Sequence, residues 1–491
     1  MLFEFSLVDL LNILLPLSWL AALLTVPSVL IQRAGQPAAA LSWLLTLFAL
    51  PAIAVILWWL IGRTHLRRKS RRRDSASKQV RESLESVQRE RQLHGLEGLS
   101  FESLDTNLES STHLIPTLPT DPVEQVFPAT HGNQVELLSD TSQTHAVWIR
   151  LIEQAQHHLH LLFYIWRADD IGHTLRDALV TKAAQGVKIR VLYDAIGSYK
   201  LPSDFFEPLL EQGGSVAKFM PIRLLSFAPT INFRNHRKLL IADGLNAYTG
   251  SINVGDEYLS WREVGITING PGVNQLQEVF VDDWYFATNE KVTDDNYFPE
   301  FTNKSVDSNR NAICETIASS PHQTFNTTRD MVIMAINQCT KRVWVATPYF
   351  IPGEALMLAL RTAVYRGVDV RLFIPSHSDS WLSHSASRVF YRDLLIGGVR
   401  IFECHSMLHA KALLLDHESV LIGSANLDVR SFKLNFEIST FVNQPDVNDT
   451  LAFMLSDVQR ESSEITLENI NNTSTLTLLK NALAHLLSPL L

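Results

Sequence analysis

The chain has 491 residues, of which 46% are hydrophobic and 19% are charged, enough for two or three domains with sizeable cores. Its formal net charge of −9 argues against a general nucleic-acid-binding protein. The three cysteines, Cys314, Cys339 and Cys404, are widely spaced and form no CxxC pair, which argues against a zinc ribbon and a disulfide framework.

Two uncharged apolar runs open the chain, at residues 13–31 and 38–61, and they are 19 and 24 residues long. Each run is long enough to cross about 30 Å of hydrocarbon as a helix. Because only "QRAGQP" separates them, we predict an antiparallel transmembrane hairpin over residues 1–62. A cleaved signal peptide is the alternative, but no Lys or Arg precedes Arg33 and a second full-length run follows.

A basic segment follows the second run, "RTHLRRKSRRR" at 63–73, with six arginines and one lysine. By the positive-inside rule it predicts a multi-pass protein of the cell (inner) membrane, with both termini and the catalytic region in the cytoplasm. The segment could also hold anionic headgroups, or it could act as a topology signal alone. We predict that residues 63–130 form a juxtamembrane segment and linker.

From residue 131 onward, strand and helix patterns alternate, and they do so twice. The first half, 131–300, has predicted strands at 158–166, 186–194 and 213–219, and the second half, 301–491, has matching strands at 342–350, 367–375 and 397–403. Helical spacing at 172–185 and 354–366 separates the first two strands of each half. The pattern predicts an α/β fold: a duplicated unit with mixed, mostly parallel sheets and helices on their faces.

One motif, H-x-K-x4-D-x6-G-S-x-N, occurs once in each half. The copies are His236, Lys238, Asp243, Gly250, Ser251 and Asn253, and His409, Lys411, Asp416, Gly423, Ser424 and Asn426. His and Lys two residues apart on a strand point to the same side. Two copies that meet at a pseudo-twofold axis would therefore surround one point, and we take the motif residues as candidate catalytic and supporting residues.

This set of side chains suits a tetrahedral phosphate. The lysines and asparagines could neutralise and hydrogen-bond its non-bridging oxygens. One histidine could attack phosphorus and form a phosphohistidine, while the other protonates the leaving alcohol and then deprotonates the incoming one. Because the lysines supply positive charge, we predict neither a metal ion nor a cofactor.

A nucleophilic imidazole needs a free Nε2, so its Nδ1–H needs an acceptor. Glu263 in "WREVG" and Glu437 in "NFEI" lie ten and eleven residues beyond the two motif asparagines. We predict that they orient the histidines, and the alternative for each glutamate is an ordinary surface charge. Arg430 could reach a second phosphate or could hold its own loop.

These motifs resemble the HKD motifs of the phospholipase D superfamily. With the hairpin, "TPYFIP" at 347–352, "GSANLDVRSFKLNFEI" at 423–438 and the terminal "LLSPLL", the chain most resembles bacterial cardiolipin synthases, over essentially its whole length. The resemblance implies transfer of a phosphatidyl group from one phosphatidylglycerol to another, with release of glycerol. It also implies that the acidic residue after the asparagine contacts histidine, while Asp243 and Asp416 are structural anchors in charged pairs. Glu263 departs from the family's usual aspartate, and its longer side chain could shift the first histidine.

Three other functions compete with this interpretation: a membrane phospholipase D that uses water, a nucleic-acid phosphodiesterase and a non-catalytic membrane scaffold. The hairpin and the acidic balance argue against the phosphodiesterase, and two intact motifs argue against the scaffold. The predicted partners are therefore phospholipids, above all phosphatidylglycerol, and the membrane, with no nucleic acid. The sequence leaves open the second lipid, the identity of the nucleophilic histidine and the oligomeric state.

An apolar segment with two prolines, residues 219–235, precedes the first motif and has no counterpart of equal length in the second half. We predict that Leu224, Leu225 and Phe227 enter the membrane interface and that Arg223 meets lipid phosphate. Packing of this segment on the protein's own core is the alternative.

Overall fold

The computed structural model describes residues 7–35, 37–62, 126–221, 233–301, 312–321, 323 and 325–487. They fall into two compact units, an amino-terminal helical unit and the α/β unit that follows. The linker after residue 62 and the predicted lipid-contacting residues between 222 and 232 lie outside the described residues.

The helical unit begins with a long apolar helix. Its elements are α1 (Leu7–Gln32), α2 (Pro37–Ala49), α3 (Pro51–Leu57) and a π-helical turn at Trp58–Gly62. Among the described residues, one stretch, Leu14–Gln32, is long and apolar enough to cross a membrane, with a mean hydropathy of 2.0. It coincides with the first predicted span.

The second apolar run folds back on itself. Leu50 has φ −138° and ψ 66°, and Pro51 starts a new helix after it. The rings of Trp43 and Trp58 lie 5.2 Å apart, whereas 15 residues of continuous helix would separate them by about 22 Å. Arg33 Nη2 donates to the carbonyl of Gly62 at 3.0 Å, so the run ends beside the carboxyl end of α1. The predicted hairpin is thus shown in its first helix, whereas the second run, 38–61, is broken into a 13-residue α2 and a 7-residue α3, each shorter than a membrane-spanning helix.

The α/β unit contains the strands of both predicted halves. They are β1 (Thr130–Leu138), β2 (His158–Phe163), β3 (Lys188–Asp194), β4 (Ser215–Phe219), β5 (Arg234–Asn235), β6 (Leu239–Ala242), β7 (Asn246–Gly250), β8 (Gly265–Asn269), β9 (Ala312–Ser319), β10 (Arg342–Ala346), β11 (Phe350–Ile351), β12 (Asp369–Pro375), β13 (Arg400–Cys404), β14 (Ala412–Leu415), β15 (Ser419–Gly423), β16 (Leu427–Asp428), β17 (Asn435–Asn443) and β18 (Ser462–Ile465). The six strands predicted from the duplicated pattern are confirmed, with ends that differ by a few residues.

Helices cover the faces of this sheet. They are α4 (Thr141–Gln154), α5 (Asp170–Ala184), α6 (Glu207–Glu211), α7 (Gly272–Thr288), α8 (Thr327–Gln338), α9 (Gly353–Tyr365), α10 (Trp381–Ser387), α11 (Tyr391–Ile396), α12 (Val429–Leu434), α13 (Pro445–Arg460), α14 (Leu467–Asn471) and α15 (Thr475–Leu487). Helices α5 and α9 are the two predicted between the first strands of each half.

The main sheet runs through both halves. Among the described strands its order is β18-β13-β12-β10-β14-β15-β17-β9-β1-β8-β7-β6-β2-β3-β4, and β5 pairs with β17. The order from β13 to β9 repeats as a mirror image from β1 to β4, which confirms the duplication. Strand β9 pairs with β1 of the first half and with β17 of the second, so strand pairing crosses the seam between the halves, with a register shift between Thr130 and Asn133 of β1.

The sheet is mixed, as predicted, but most of its pairings are antiparallel. Among the described strands the parallel pairings are β2–β3–β4, β10–β12–β13, β11–β16 and β5–β17. The prediction of mostly parallel sheets is corrected because each motif strand returns through a hairpin. After β6, Asp243 and Gly244 have φ of 57° and 66°, and Leu245 N donates to Ala242 O at 3.0 Å, which forms a tight hairpin turn between the paired residues Ala242 and Asn246.

The hydrophobic core also joins the halves. One buried cluster combines Leu239 and Trp284 of the first half with Leu414 and Phe436 of the second, and two further clusters lie within the separate halves. Because the two halves share this core, each half would expose buried apolar side chains without the other.

Candidate active site

The chain just before each motif strand crosses to the other half. Strand β5 pairs in parallel with the start of β17, with Arg234 opposite Asn435, and His236 N donates to Phe436 O at 2.9 Å. In the second half, His409 N donates to Arg262 O at 2.8 Å. These backbone contacts place each motif histidine beside the glutamate of the opposite half.

The histidine–glutamate contacts are therefore crossed. His236 Nδ1 lies 3.1 Å from Glu437 Oε2 and 3.1 Å from Ser424 O, and His409 Nδ1 lies 2.7 Å from Glu263 Oε1. Because the carboxylate and carbonyl partners are acceptors, Nδ1 of each ring carries the hydrogen and Nε2 keeps a lone pair. Lys411 Nζ also lies 3.1 Å from both Nδ1 and Nε2 of His409. The glutamate that departs from the family's usual residue, Glu263, thus acts on the second histidine, where the sequence had suggested the first.

Both glutamates are fully buried and fixed by further hydrogen bonds. Ser251 Oγ donates to Glu263, Ser424 Oγ donates to Glu437, and Asn435 Nδ2 donates to Glu437 at 3.0 Å. Burial on its own would raise the pKa of each glutamate, but the facing imidazole and the nearby lysine lower the pKa below its usual value. Both carboxylates are consequently ionised at neutral pH.

The two motif lysines lie buried beside the histidines. Lys238 Nζ donates to His236 O at 2.6 Å, and Lys411 Nζ donates to His409 O at 2.9 Å. Burial, followed by the charge of Lys411, lowers the pKa of Lys238 to about 7, and burial lowers the pKa of Lys411 to about 8. The positive charges of the two buried lysines repel each other. A bound anion between them would stabilise the charged form of both.

Both histidines open into one cavity of about 260 Å³. Its lining includes the motif asparagines, Asn253 and Asn426, and two aromatic residues that the sequence did not single out. The Tyr164 ring packs edge-on against His236 with centroids 4.7 Å apart, and the Trp261 ring packs in the same way against His409 at 5.0 Å. The aromatic rings restrict the rotation of each imidazole at the edge of the cavity.

The motif aspartates lie away from this cavity. Asp243 accepts from the backbone N–H groups of Gln156, His157 and His158, and Asp416 accepts from those of Thr340, Lys341 and Arg342. Both stand at the far end of the motif strand in left-handed turns, with φ of 57° and 46°. Their inclusion among the candidate catalytic residues is corrected: they anchor turns, and they do so through backbone N–H groups instead of the expected charged pairs.

The motif glycines, Gly250 and Gly423, allow the strands that follow Glu263 and contain Glu437 to approach the motif closely. A Cβ on Gly250 would lie 2.5 Å from Gly265 Cα, and a Cβ on Gly423 would lie 2.3 Å from Ile438 O. These contacts are too short for any side chain. The glycine of each motif is therefore needed to bring the following strand, and the glutamate on it, next to the site.

A buried ion pair between Arg237 and Asp283, which the sequence analysis missed, supports the site. Arg237, between the motif His and Lys, contacts Asp283 Oδ2 through Nη1 at 2.7 Å, and both side chains are fully buried. Its Nε donates to Glu437 O at 3.1 Å and its Nη2 to Ser319 O at 3.0 Å. Arg237 thus ties the first motif to the strands β17 and β9 of the other half.

We expect Asp283→Ala to destabilise the protein strongly, by about 3–5 kcal/mol, because it leaves the Arg237 guanidinium buried without its counter-ion. Denaturant or thermal unfolding in detergent measures this loss. Glu464→Ala is the matched control, since it breaks the exposed Arg400–Glu464 pair, and it should cost about 1 kcal/mol or less. Equal losses in the two variants would contradict the role given to Arg237.

The chain is similar in sequence and in fold to known proteins. A family model described as "Cardiolipin synthase, PLD-like domain" matches residues 148–284 and 332–456. Cardiolipin synthase 1 of Bacillus anthracis is 34% identical over 96% of this chain and 93% of its own length. Cardiolipin synthase A of Pseudomonas putida (strain W619) is 35% identical over 92% of each chain.

A solved structure extends the comparison to the fold. The phosphatidylserine synthase of Haemophilus influenzae Rd KW20 superposes with a TM-score of 0.55 over 73% of this chain and 95% of that chain, at 15% identity. That likeness concerns the fold alone, whereas the sequence matches extend over nearly the full length. The chain belongs to the cardiolipin synthase family, and it carries the phospholipase D-like domain of that family twice.

Proposed function

We propose that this protein is a phosphatidyltransferase that makes cardiolipin from two molecules of phosphatidylglycerol and releases glycerol. The observation that carries the proposal is the pair of histidines that line one cavity, each with its Nδ1 held by a buried glutamate of the opposite half and each beside a buried lysine. The names of the relatives, which are 31–35% identical over nearly the whole chain, support cardiolipin as the product. No step requires a metal ion, because the lysines offset the phosphate charge.

The reaction proceeds in two displacements. Nε2 of one histidine attacks the phosphorus of the donor lipid, the bond from phosphorus to the headgroup glycerol oxygen breaks, and the second histidine gives that oxygen its proton. A hydroxyl of the acceptor phosphatidylglycerol then attacks the same phosphorus, the phosphorus–nitrogen bond breaks, and the second histidine takes the hydroxyl proton. Lys238, Lys411, Asn253 and Asn426 hold the phosphate through both steps.

We assign the attack to His236 and the proton transfers to His409. Burial lowers the pKa of both histidines, and it lowers the pKa of His236 to about 4, which keeps its Nε2 unprotonated. His409 has the shorter contact with its glutamate, 2.7 Å against 3.1 Å, and a closer carboxylate stabilises the imidazolium form that an acid–base catalyst must reach.

The pH dependence of kcat/KM should have its upper limb between about 7 and 8, where Lys238 and Lys411 lose their protons in the free enzyme. The pKa of each lysine is lowered, so the charged form that holds phosphate disappears as pH rises through that range. Bound phosphate favours the ammonium form, so the same limb in kcat should lie at higher pH. Rates at subsaturating and saturating lipid measure the two limbs, and a flat kcat/KM from about pH 6 to 9 would contradict the role of the lysines.

The products test the proposed function. Phosphatidylglycerol labelled in its headgroup glycerol is incubated with the purified protein in mixed micelles, with and without EDTA. Transfer requires that half of the label from consumed lipid appears as free glycerol and half remains in cardiolipin. Complete release of the label with formation of phosphatidic acid would identify a phospholipase D hydrolase, and EDTA inhibition reversed by a divalent ion would contradict the metal-free step.

We further propose that the catalytic halves are cytoplasmic and that α1 is the membrane crossing of the described helical unit. Arg33 and Gly62 meet at one end of that unit, and the basic segment at 63–73 follows directly. The positive-inside rule then favours the cytoplasm for this end. The α2–α3 pair enters and leaves on that face, and the amino-terminal end of α1 lies on the opposite face.

Cysteine labelling with a membrane-impermeant maleimide on intact spheroplasts distinguishes this topology from two crossings. Ser6→Cys should react from outside, whereas Gly35→Cys and Ser75→Cys should react after permeabilisation. A side chain introduced at position 35 would meet open space, and the three native cysteines are buried. Two crossings would give the reverse result, with Gly35→Cys labelled from outside and Ser6→Cys protected.

A further inference from the structure

Two arginines line one side of the cavity. Arg234 lies in β5, two residues before the nucleophilic histidine, and Arg430 lies in the first turn of α12, four residues after Asn426. Burial lowers the pKa of Arg430, and the charge of Arg234 is the next contribution in that direction. The two guanidinium groups therefore face a common space next to His236 and Tyr164.

Backbone structure fixes both arginines in place. Arg234 stands opposite Asn435 in the β5–β17 pairing, and its Nη1 donates to Phe233 O at 3.0 Å. The turn that carries Arg430 is capped by Asp428, whose carboxylate accepts from Ser431 N at 2.6 Å. The hydrogen bond holds the Arg234 guanidinium, and the cap holds the backbone from which Arg430 extends, so less freedom is lost when the pair binds an anion.

The internal duplication does not repeat these arginines. The motif histidines are 173 positions apart, and the same offset places Met407 opposite Arg234 and Glu257 opposite Arg430. Glu257 accepts from Arg167 Nε at 2.9 Å, so that side of the site has different chemistry. The residues that recur in both halves suit a phosphorus at the pseudo-twofold axis. The two arginines, one from each half, have no such counterparts and therefore suit a group that lies on one side of that axis.

We propose that Arg234 and Arg430 form a subsite for the phosphodiester of the acceptor lipid and thereby select an anionic lipid alcohol over water and free glycerol. This inference rests on the function proposed above. In the second displacement, the acceptor hydroxyl forms the new phosphorus–oxygen bond as the phosphorus–nitrogen bond to His236 breaks, and its proton passes to His409. The acceptor brings its own phosphate one glycerol away from that phosphorus, and a guanidinium fork matches two phosphate oxygens.

Two reactions of the same phosphohistidine separate acceptor recognition from catalysis. Cardiolipin formation uses phosphatidylglycerol as acceptor, whereas exchange of labelled free glycerol into phosphatidylglycerol uses an acceptor without phosphate. Arg430→Met and Arg234→Met should each lower the ratio of cardiolipin formed to glycerol exchanged by about 10- to 100-fold, as expected for a lost charged hydrogen bond. The ratio for Arg430→Lys should lie between those of the wild type and Arg430→Met, since lysine keeps the charge but lacks the planar guanidinium that contacts two phosphate oxygens.

Arg460→Met is the control, because Arg460 lies on the exposed side of α13 and its variant should keep the wild-type ratio. Melting curves in detergent establish that each variant is folded, and Arg430→Lys carries the test if a methionine variant is not. An unchanged ratio, or an equal loss of both reactions, would overturn the subsite. A wild-type protein that yields phosphatidic acid and no cardiolipin would instead refute the proposed function, whatever the arginine variants do.

Discussion

His236→Ala and His409→Ala should each reduce cardiolipin formation by several orders of magnitude. The two imidazoles act on the same phosphorus in sequence, so that loss of either one stops the cycle, and the double variant should be little worse than the single ones. Turnover of labelled phosphatidylglycerol by the purified variants measures the effect. His417→Ala, at an exposed position in the turn between β14 and β15, is the control.

The single histidine variants must remain folded for this comparison. Each motif histidine has a backbone N–H that bonds across the halves, and these bonds do not depend on the side chain. We therefore expect both variants to remain folded, with melting temperatures below that of the wild type because a buried carboxylate loses its imidazole partner. A histidine variant that is folded and keeps more than about a tenth of wild-type activity would contradict the two-displacement mechanism.

Glu263→Gln and Glu437→Gln should each lower activity by roughly 10- to 1000-fold, because a neutral amide is a weaker acceptor for Nδ1–H. The crossed contacts make the two losses different in kind. Glu437 orients the attacking His236, and Glu263 stabilises the proton on His409. Glu468→Gln, on an exposed face of α14, controls for the loss of a carboxylate.

A donor with a good leaving group distinguishes the two glutamates. A phosphatidyl ester of p-nitrophenol needs no proton on its leaving oxygen, so the burst of nitrophenol should recover in Glu263→Gln and remain slow in Glu437→Gln. Recovery in Glu437→Gln instead would exchange the roles of the histidines. Wild-type rates in both variants with phosphatidylglycerol would show that neither carboxylate orients an imidazole.

Sequence patterns predicted the elements well where hydrophobic spacing determines them. The duplicated strands and helices, the two motifs and the position of both glutamates beside the histidines follow from spacing and from the chemistry that a nucleophilic imidazole needs. The directions of the strands were predicted less well. The sequence Asp243-Gly244 is a hairpin signal, and it would have indicated that the motif strand turns back instead of crossing over.

The crossed pairing could not be predicted from either half alone. It depends on the two-residue strand β5 and the bridge at Arg262, which form between segments about 150 to 200 residues apart. The fold-back at Leu50 was missed for a different reason. A prediction from length and mean hydropathy does not consider where a helix breaks. A proline within a 24-residue run can break it into pieces that are too short to span a membrane.

The roles of Asp243 and Asp416 illustrate the limit of motif logic. Both recur at fixed spacing, as the catalytic residues do, yet each binds backbone N–H groups at the opposite end of its strand. Fixed spacing indicates that a residue is required, and it does not distinguish a residue that holds a turn from one that meets the substrate. Arg237 gave a weaker signal, one more basic residue between His236 and Lys238 of the motif.

The central claim is a covalent intermediate on His236 with His409 as its acid–base partner. Protein is mixed with the nitrophenyl donor, denatured within milliseconds, digested and analysed by mass spectrometry. The wild type and His409→Ala should carry an acid-labile phosphatidyl group on the peptide that contains His236, with higher occupancy in His409→Ala because its transfer step is slow. His236→Ala should carry none. A phosphatidyl group on His409, or on no residue in a variant that still turns over donor, would contradict the mechanism.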